Sequence, residues 1–564
     1  MADQFLDGAT FYTMVKEGTR SLKAHVQEVN DLNVFPIPDG DTGDNMLLTM
    51  MGAAQVEVSP DLSAATRRIA DGMLLSARGN SGVILSQFFD GIAEGFAGME
   101  TADTNTMKSA FRSGVRHAYG AVMEPTEGTI LTVANDATEY AGESDANEPS
   151  EYVRNFIDEA KRSLVRTPDL LPVLKKAGVV DSGGAGLIYI IEGMLSALDG
   201  KVSEDEEETA EVKNGPAALD LSLFDENSEL VYGYCTELLL RLQNKKTDPE
   251  TFDITVIKDY LKTIGDSVVI FKTGSIVKLH VHTKEPQLVL GFCQQFGEFL
   301  TVKIENMSLQ HNNHYDEEQE EKELKESEEL SSLFHVSTEE TEHKTFGIVT
   351  VAAGSGVQEE LMRLGADAVV DGGQSMNPSS EAFLNAFEKV NADTIFVLPN
   401  NGNVILAARQ AAGMYQDADV RVIDNHDIGS GFTALSMFDP EAGSADAIEA
   451  DMKDAMEGVV TACISKCVRS TDFDGLSLHE GEYIGFVGKE ILASGDERTT
   501  TLLSLSDGVG FGDEHEIGIL IFGETVPQEE AEAMKAAIEK RHPGTELYLI
   551  DGKQDVYDYI MIAE

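Results

Sequence analysis

The chain has 564 residues, 42% of them hydrophobic, and a formal net charge of −57; this length holds several domains, each with a core of its own. A field of that sign disfavours nucleic acid and anionic membranes as broad partners, because their phosphates would be repelled. Four cysteines (Cys235, Cys293, Cys463 and Cys467) are too few for a disulfide framework, the opening MADQFLDGATFYTMV lacks the basic-then-apolar pattern of a signal peptide, and no apolar run approaches the roughly 20 residues of a membrane span, so a cytoplasmic protein with no membrane span is expected.

From residue 1 to 200, Ala, Leu and Met recur at three and four, as in DGATFYTMVKEGTRSLKAHVQEVNDL and GVILSQFFDGIAEGFAG. β-branched alternation is scarce, which predicts an all-α bundle or barrel. An acidic linker over 201–216, including SEDEEETAEVKNGP, ends on Gly-Pro. Residues 217–315 then mix strand-like text (LVYGYCTELLLRL, DSVVIFKTGSIVKLHVHT, FLTVKIENMSL) with the helix-like PQLVLGFCQQFGEF, a small α+β middle domain. A second acidic linker covers 316–343. From 344 to 564 strands alternate with helices, the text of an α/β domain. Two lobes are expected there, split near 470–480, with a long helix running through ADAIEADMKDAMEGVVTACISK. That helix would place Cys463 and Cys467 on one face as core thiols.

Chemistry concentrates in Asn33–Met46, NVFPIPDGDTGDNM. Two prolines deny this stretch a helix and two glycines permit tight turns. Asp39 and Asp41 stand two apart, with Asp44 three further on. Carboxylates crowded on one loop repel unless a cation neutralises them, and Mg²⁺ takes oxygen ligands and recruits substrate phosphates. The alternative is a polar loop in which Asp44 caps the following helix. Three further turns put small or hydroxyl residues at helix starts: Ser76–Gly82 (SARGNSG), Glu127–Leu131 (EGTIL) and Asp181–Gly186 (DSGGAG). Each reads equally as a capping turn or as a phosphate cradle of free backbone N–H groups. Within them Ser81, Gly82, Thr129, Asp181 and Gly183 are the candidate nucleotide contacts.

In the middle domain, His280 and His282 in LHVHT share a strand face, and Cys235 in GYCTE is a candidate third ligand. Two imidazoles and a thiolate suit tetrahedral Zn²⁺. An exposed strand face is the alternative. In the last domain, Gly347–Gly356 and LPNNGNVILAA are strand–turn–helix phrases that could bind an anion or merely pack.

The four turns of the helical region together resemble the dihydroxyacetone kinase L-subunit family, whose nucleotide domain is a barrel of antiparallel helices. PDGDTGDNM stands where that family has its metal-binding aspartates, GNSG where it has its phosphate loop, and DSGGAG near its last ligand-contacting turn. The resemblance implies that Asp39 and Asp41 are catalytic Mg²⁺ ligands, with Asn33 a further candidate, and that Thr42, Asn45, Ser81 and Gly82 contact phosphates. Asp44 departs from the threonine that the pattern implies, so it stays outside the metal set.

Over its whole length the chain resembles the kinase subunit of the bacterial two-component fatty acid kinase. GYCTE with LHVHT matches that family's Cys/His/His zinc site. The resemblance implies ATP with two Mg²⁺ ions, Zn²⁺, a homodimer, and a DegV-like fold for the C-terminal domain, which would dock a separate DegV-like fatty-acid-binding protein. The implied reaction moves the γ-phosphoryl of ATP to the carboxylate of the carried fatty acid, giving an acyl phosphate for phospholipid synthesis. Two alternatives remain at this level: a kinase of a small hydroxy-ketone, and a nucleotide-sensing scaffold without catalysis.

Overall fold

The structure, a computed structural model, describes residues 5–32, 40–54, 56, 58–201, 234–242, 246–247, 252, 254–273, 276–306, 343–373, 377–473, 476–511 and 515–564. Met1–Ser203 and Thr341–Glu564 form one compact unit, and Glu204–Glu340 a second. None of the described helices is long and apolar enough to cross a membrane.

The N-terminal part is a ring of helices: α1 (Gly8–Ala24), α2 (Val26–Asn30), α3 (Thr42–Ala54), α4 (Leu62–Ser76), α5 (Gly79–Gly95), α6 (Thr104–Gly120), α7 (Ile130–Glu143), α8 (Pro149–Leu170), α9 (Pro172–Ala177) and α10 (Ser182–Leu198). A two-residue ribbon, β1 (Leu6–Asp7) with β2 (Thr101–Ala102), ties its edge. Aspartates start many of these helices for one reason: a carboxylate accepts the orphan N–H three residues on, and its charge faces the positive helix end. Asp7 accepts from Thr10 at 2.8 Å, Asp61 from Ala64 at 2.7 Å, Asp103 from Thr106 at 2.8 Å and Asp181 from Gly184 at 2.7 Å.

Successive helices pack on one another, and α10 closes the ring against α1. Closure depends on glycine, whose interior helical positions would otherwise weaken the helix. A Cβ on Gly193 would stand 2.3 Å from the Glu17 carbonyl, and one on Gly18 would stand 2.9 Å from the Ile190 carbonyl. Inside the ring, Phe111 meets Tyr152 and Phe156 edge-on, with centroids 5.3 and 5.8 Å apart.

In the second unit, β3 (Tyr234–Leu242), β4 (Asp266–Thr273), β5 (Ile276–Thr283) and β6 (Gly297–Asn306) form an antiparallel sheet ordered β4-β5-β3-β6. Helices α11 (Thr255–Leu261) and α12 (Pro286–Cys293) contribute to its core. Leu238 and Leu240 on β3, and Val277, Leu279 and Val281 on β5, are buried there.

The C-terminal part holds two sheets. The first is parallel, ordered β10-β9-β7-β8, from β7 (Lys344–Ala352), β8 (Ala368–Asp371), β9 (Ala392–Leu398) and β10 (Asp419–Val422). Its crossovers are α13 (Ser355–Arg363), α14 (Ser380–Val390) and α15 (Ile405–Met414). Then come α16 (Ile428–Ser436) and α17 (Ala445–Met456), followed by β11 (Val460–Lys466). The second sheet is mixed, ordered β15-β14-β11-β18-β16-β17, where β14 is Tyr483–Val487, β15 Glu490–Gly495, β16 Ile517–Phe522, β17 Glu546–Asp551 and β18 Tyr559–Ala563. A ribbon of β12 (Thr471–Phe473) and β13 (Leu476–Leu478) stands apart, and α18 (Arg498–Gly508) and α19 (Gln528–Arg541) complete the lobe.

Two expectations are corrected by these elements. The long helix stops at Met456, and its anticipated continuation is strand β11, so the second sheet starts at Val460 and not near 470–480. Cys463 therefore lies on a strand and Cys467 just past it; both are buried in one apolar cluster. Burial pushes the Cys463 thiol well above its ordinary range.

The helical ring and the parallel sheet share a core. Ala77 and Val83, at the start of α5, are buried in the same cluster as Val349, Val351 and Phe383. Polar contacts extend this seam: Gln410 donates to the Leu74 carbonyl at 2.7 Å, and Gln87 donates to Gln410 at 2.9 Å.

Candidate functional site

Helices α3, α5, α7 and α10 begin beside one another. Ser182 Oγ stands 3.3 Å from Thr42 Oγ1, joining the starts of α10 and α3. Asn80 and Ser81 of α5, Thr126 and Thr129 before α7, and Asp181, Ser182 and Gly183 of α10 line one cavity of about 240 Å³. Three of the four turns singled out in the sequence thus face one space, and the fourth adjoins it, because Thr42 contacts Ser182 of the lining. No side chain caps α5, whose first residue follows Arg78. Three positive helix ends around a shared cavity, that of α5 without a side-chain cap, are a setting for an anion.

The walls are set by residues that pack closely. Gly79 has φ of 56°, and a Cβ there would stand 2.6 Å from Asn45 Nδ2. Gly82 lies against Thr49, whose Oγ1 would be 2.4 Å from an added Cβ. Asn45 is buried, and its N–H donates to the Asp41 carbonyl at 2.8 Å, so Thr42 and Asn45 lie in the first turn of α3 and not in the preceding loop. Asp44 accepts from Asn30 Nδ2 at 2.7 Å, and Asn30 Oδ1 accepts from the Gly43 N–H at 2.7 Å. That pair ties Asp44 to α2.

Asp41 precedes α3, and its Oδ2 accepts a hydrogen bond from Asn377 Nδ2 of the C-terminal domain. Asp39 and Asn33 lie outside the described residues, so Asp41 alone represents the aspartate pair here. In the cavity, desolvation pushes the Asp181 carboxyl up to about 6, against two backbone N–H donors, from Gly184 and Ile130, that pull it down. A carboxyl that protonates near neutrality tolerates a phosphate beside it better than an ordinary aspartate would. The turn before α7 is held by Glu127, which accepts from Thr132 Oγ1 at 2.6 Å, and by the Gly128 N–H, which donates to that same hydroxyl at 2.8 Å.

Reading the sequence missed Asn80, Thr126, Leu406 and Asn377. Asn80 sits inside a stretch already marked for its glycines. Leu406 lines the cavity and Asn377 bonds Asp41, but both lie some 300 residues away and nothing local marks them.

In the middle unit, the register pairs Cys235 with His282 and Glu237 with His280. Directly opposed residues of such a ladder have Cα atoms about 4.5–5.5 Å apart. By strand alternation Cys235, His280 and His282 share the face opposite the buried Leu238, Leu240, Leu279 and Val281. Their side chains lie outside the described residues. Among the described residues, no group of three His, Cys, Asp or Glu could hold a metal ion.

Comparisons with known proteins cover most of the chain. Residues 36–196 match the DAK2 domain, 231–314 the FakA-like middle domain of fatty acid kinase, and 347–564 the FakA-like C-terminal domain of fatty acid kinase. Protein YloV of Bacillus subtilis is 37% identical over 582 residues, covering 100% of both chains. Among solved structures, the dihydroxyacetone kinase of C. freundii in complex with AMP-PNP and Mg²⁺ aligns over 33% of each chain at 20% identity and a TM-score of 0.27. DegV, a fatty acid binding protein from Bacillus subtilis, aligns over 39% of this chain and 98% of its own, at 12% identity and a TM-score of 0.29.

Proposed function

Because the chain belongs to the FakA-like family of fatty acid kinase proteins, we propose that it is an ATP-dependent kinase that phosphorylates a fatty acid carboxylate presented by a separate DegV-like lipid-binding protein. The observation that carries the nucleotide half of this reading is the convergence of the α5, α7 and α10 starts on one cavity, to which the start of α3, with Asp41 before it, is joined through the Thr42–Ser182 contact. The backbone N–H groups at Gly79–Ser81 and the hydroxyls of Ser81, Thr129 and Ser182 would cradle the phosphates. Asp41 and Asp39, with Asn33, would hold Mg²⁺. The fit rests on the donor set: carboxylate and amide oxygens are hard ligands of the kind Mg²⁺ takes. The cation supplies neutralisation of the phosphate charge.

Phosphoryl transfer to a carboxylate asks little else of the protein. A fatty carboxylate is ionised at neutral pH, so no base is required. One of its oxygens forms a bond to the γ-phosphorus as the bridging β–γ P–O bond breaks, and ADP leaves with the electron pair. Positioning and charge stabilisation then dominate. The test is acyl phosphate, trapped as the hydroxamate, from oleate and ATP with and without a DegV-like carrier. Product only with carrier supports the reading; no acyl phosphate but turnover with dihydroxyacetone would replace it.

The same proposal assigns a Zn²⁺ to Cys235, His280 and His282, supported by their cross-strand register. His282→Ala should lower zinc bound per chain, measured by elemental analysis of the purified protein. Equal zinc in variant and wild type would remove the site.

A further inference from the structure

The seam between the helical ring and the C-terminal domain runs through the aspartate mouth. Asn377, from the segment before α14, is only 1% exposed. Its Nδ2 donates to Asp41 Oδ2, and its backbone carbonyl accepts from Arg78 Nη1 at 3.0 Å. The amide orientation is forced, because the opposite one would set its oxygen against the carboxylate. Asn377 Oδ1 is then buried with no hydrogen-bond partner. Across the seam Asn80 Nδ2 donates to Asn403 Oδ1 at 3.3 Å, and Asn80 Oδ1 is likewise buried and without a partner.

Two orphaned amide oxygens in one seam call for a cause. A buried amide oxygen left unpaired forfeits its hydration with nothing in return, and native proteins keep few of them. What they lack is a donor or a cation. Asn377 stands against the Asp41 carboxylate and Asn80 in the first turn of α5, and a neutral amide oxygen is a good ligand for a hard divalent ion or for its bound waters.

We propose that Asn377 completes the divalent-cation site of Asp41, its Oδ1 taking the cation or one of its waters. The site is therefore shared between two domains and is whole only when the parallel sheet is seated on the ring. This rests on the kinase reading through Asp41 as a metal ligand. Linkage then makes the effect reciprocal: a cation bound by both sides tightens the seam by the factor by which the closed seam tightens the cation. A protein docking on the C-terminal domain would gain a route to the phosphate site, since it could favour or disfavour the seated arrangement.

The test uses the full chain, Mn²⁺ as a paramagnetic probe and a non-hydrolysable ATP analogue. Free Mn²⁺ is followed by electron paramagnetic resonance, and folding is checked by thermal melting. Asn377→Ala should weaken Mn²⁺ by about 10-fold or more while nucleotide affinity in EDTA stays unchanged. Asn377→Asp, which puts an anionic oxygen in the same place, should restore or exceed the wild-type Mn²⁺ affinity. Affinity within twofold of wild type in Asn377→Ala would overturn the proposal, as would equal losses in the Ala and Asp variants, the sign of a packing role alone. Mn²⁺ binding that depends on Asn377 in a chain that phosphorylates no carboxylate would support this site while overturning the acyl-kinase reading. A wild-type chain that binds no Mn²⁺ would overturn the site itself.

Discussion

Replacing Asp41 by alanine is expected to lower Mg²⁺-dependent phosphoryl transfer by about 10³-fold or more, the scale on which loss of a preorganised charge partner at a reacting phosphate is felt. The carboxylate is the one described member of the aspartate pair. It sits at the start of α3, next to the turn of α5 and against Asn377. Its removal also leaves Asn377 Nδ2 buried without an acceptor, so thermal stability should fall modestly, by about 1–3 kcal/mol, with the fold retained. A coupled ADP assay measures the first effect and a melting curve the second. Turnover within tenfold of wild type would take Asp41 out of the metal set.

The second large effect is expected at Gly79. Its φ of 56° lies in the left-handed region, and a Cβ would stand 2.6 Å from Asn45 Nδ2 and 3.4 Å from Asn377 Nδ2. A β-branched residue in that conformation costs about 1–3 kcal/mol in backbone strain alone. The added methyls would also displace Asn45, and with it the first turn of α3. Gly79→Val should therefore weaken nucleotide binding by about 100-fold, because relaxing the strain re-aims the N–H groups at the start of α5. Fluorescence titration with a labelled nucleotide reads this out. An affinity unchanged from wild type would show that the α5 turn is a packing feature and not a cradle.

Much of the fold was legible because periodicity is a local property. The apolar stripes of α1, α5 and α10 recur at three and four, and the strand–helix alternation after residue 344 marks the α/β domain. The miss at α17 has a physical cause. The text ADAIEADMKDAM is strongly helical, and Ala462 and Cys463 beyond it do not contradict a helix. Yet Gly458, at φ of 89°, is a glycine of the kind that stops helices, and Val459, Val460, Thr461 and Ile464 crowd β-branched side chains after it. Those two signals were available and outweigh the helical run-in.

At the candidate site, the four turns were visible as glycine and hydroxyl clusters, each ambiguous alone. Their convergence was implied by the family resemblance and by no local signal, because it is a tertiary fact: Thr42 and Ser182 are 140 residues apart in sequence and 3.3 Å apart in space. Asn377 and Leu406 carry no local mark at all, since an asparagine before a proline and a leucine in an alanine-rich helix have ordinary uses everywhere. Only the packing of the parallel sheet against α5 gives them a role. Residues whose chemistry is unusual where they stand can be found from sequence. Ordinary residues made special by what they meet cannot.

The most direct measurement is calorimetric titration of the full chain with a non-hydrolysable ATP analogue, with Mg²⁺ and then in EDTA. One nucleotide is expected per chain, bound at least about tenfold more tightly with Mg²⁺ than without and lost in Gly79→Val. No binding in either condition, or binding indifferent to Mg²⁺, would contradict the claim that the mouth formed by α3, α5, α7 and α10 is a metal–nucleotide site.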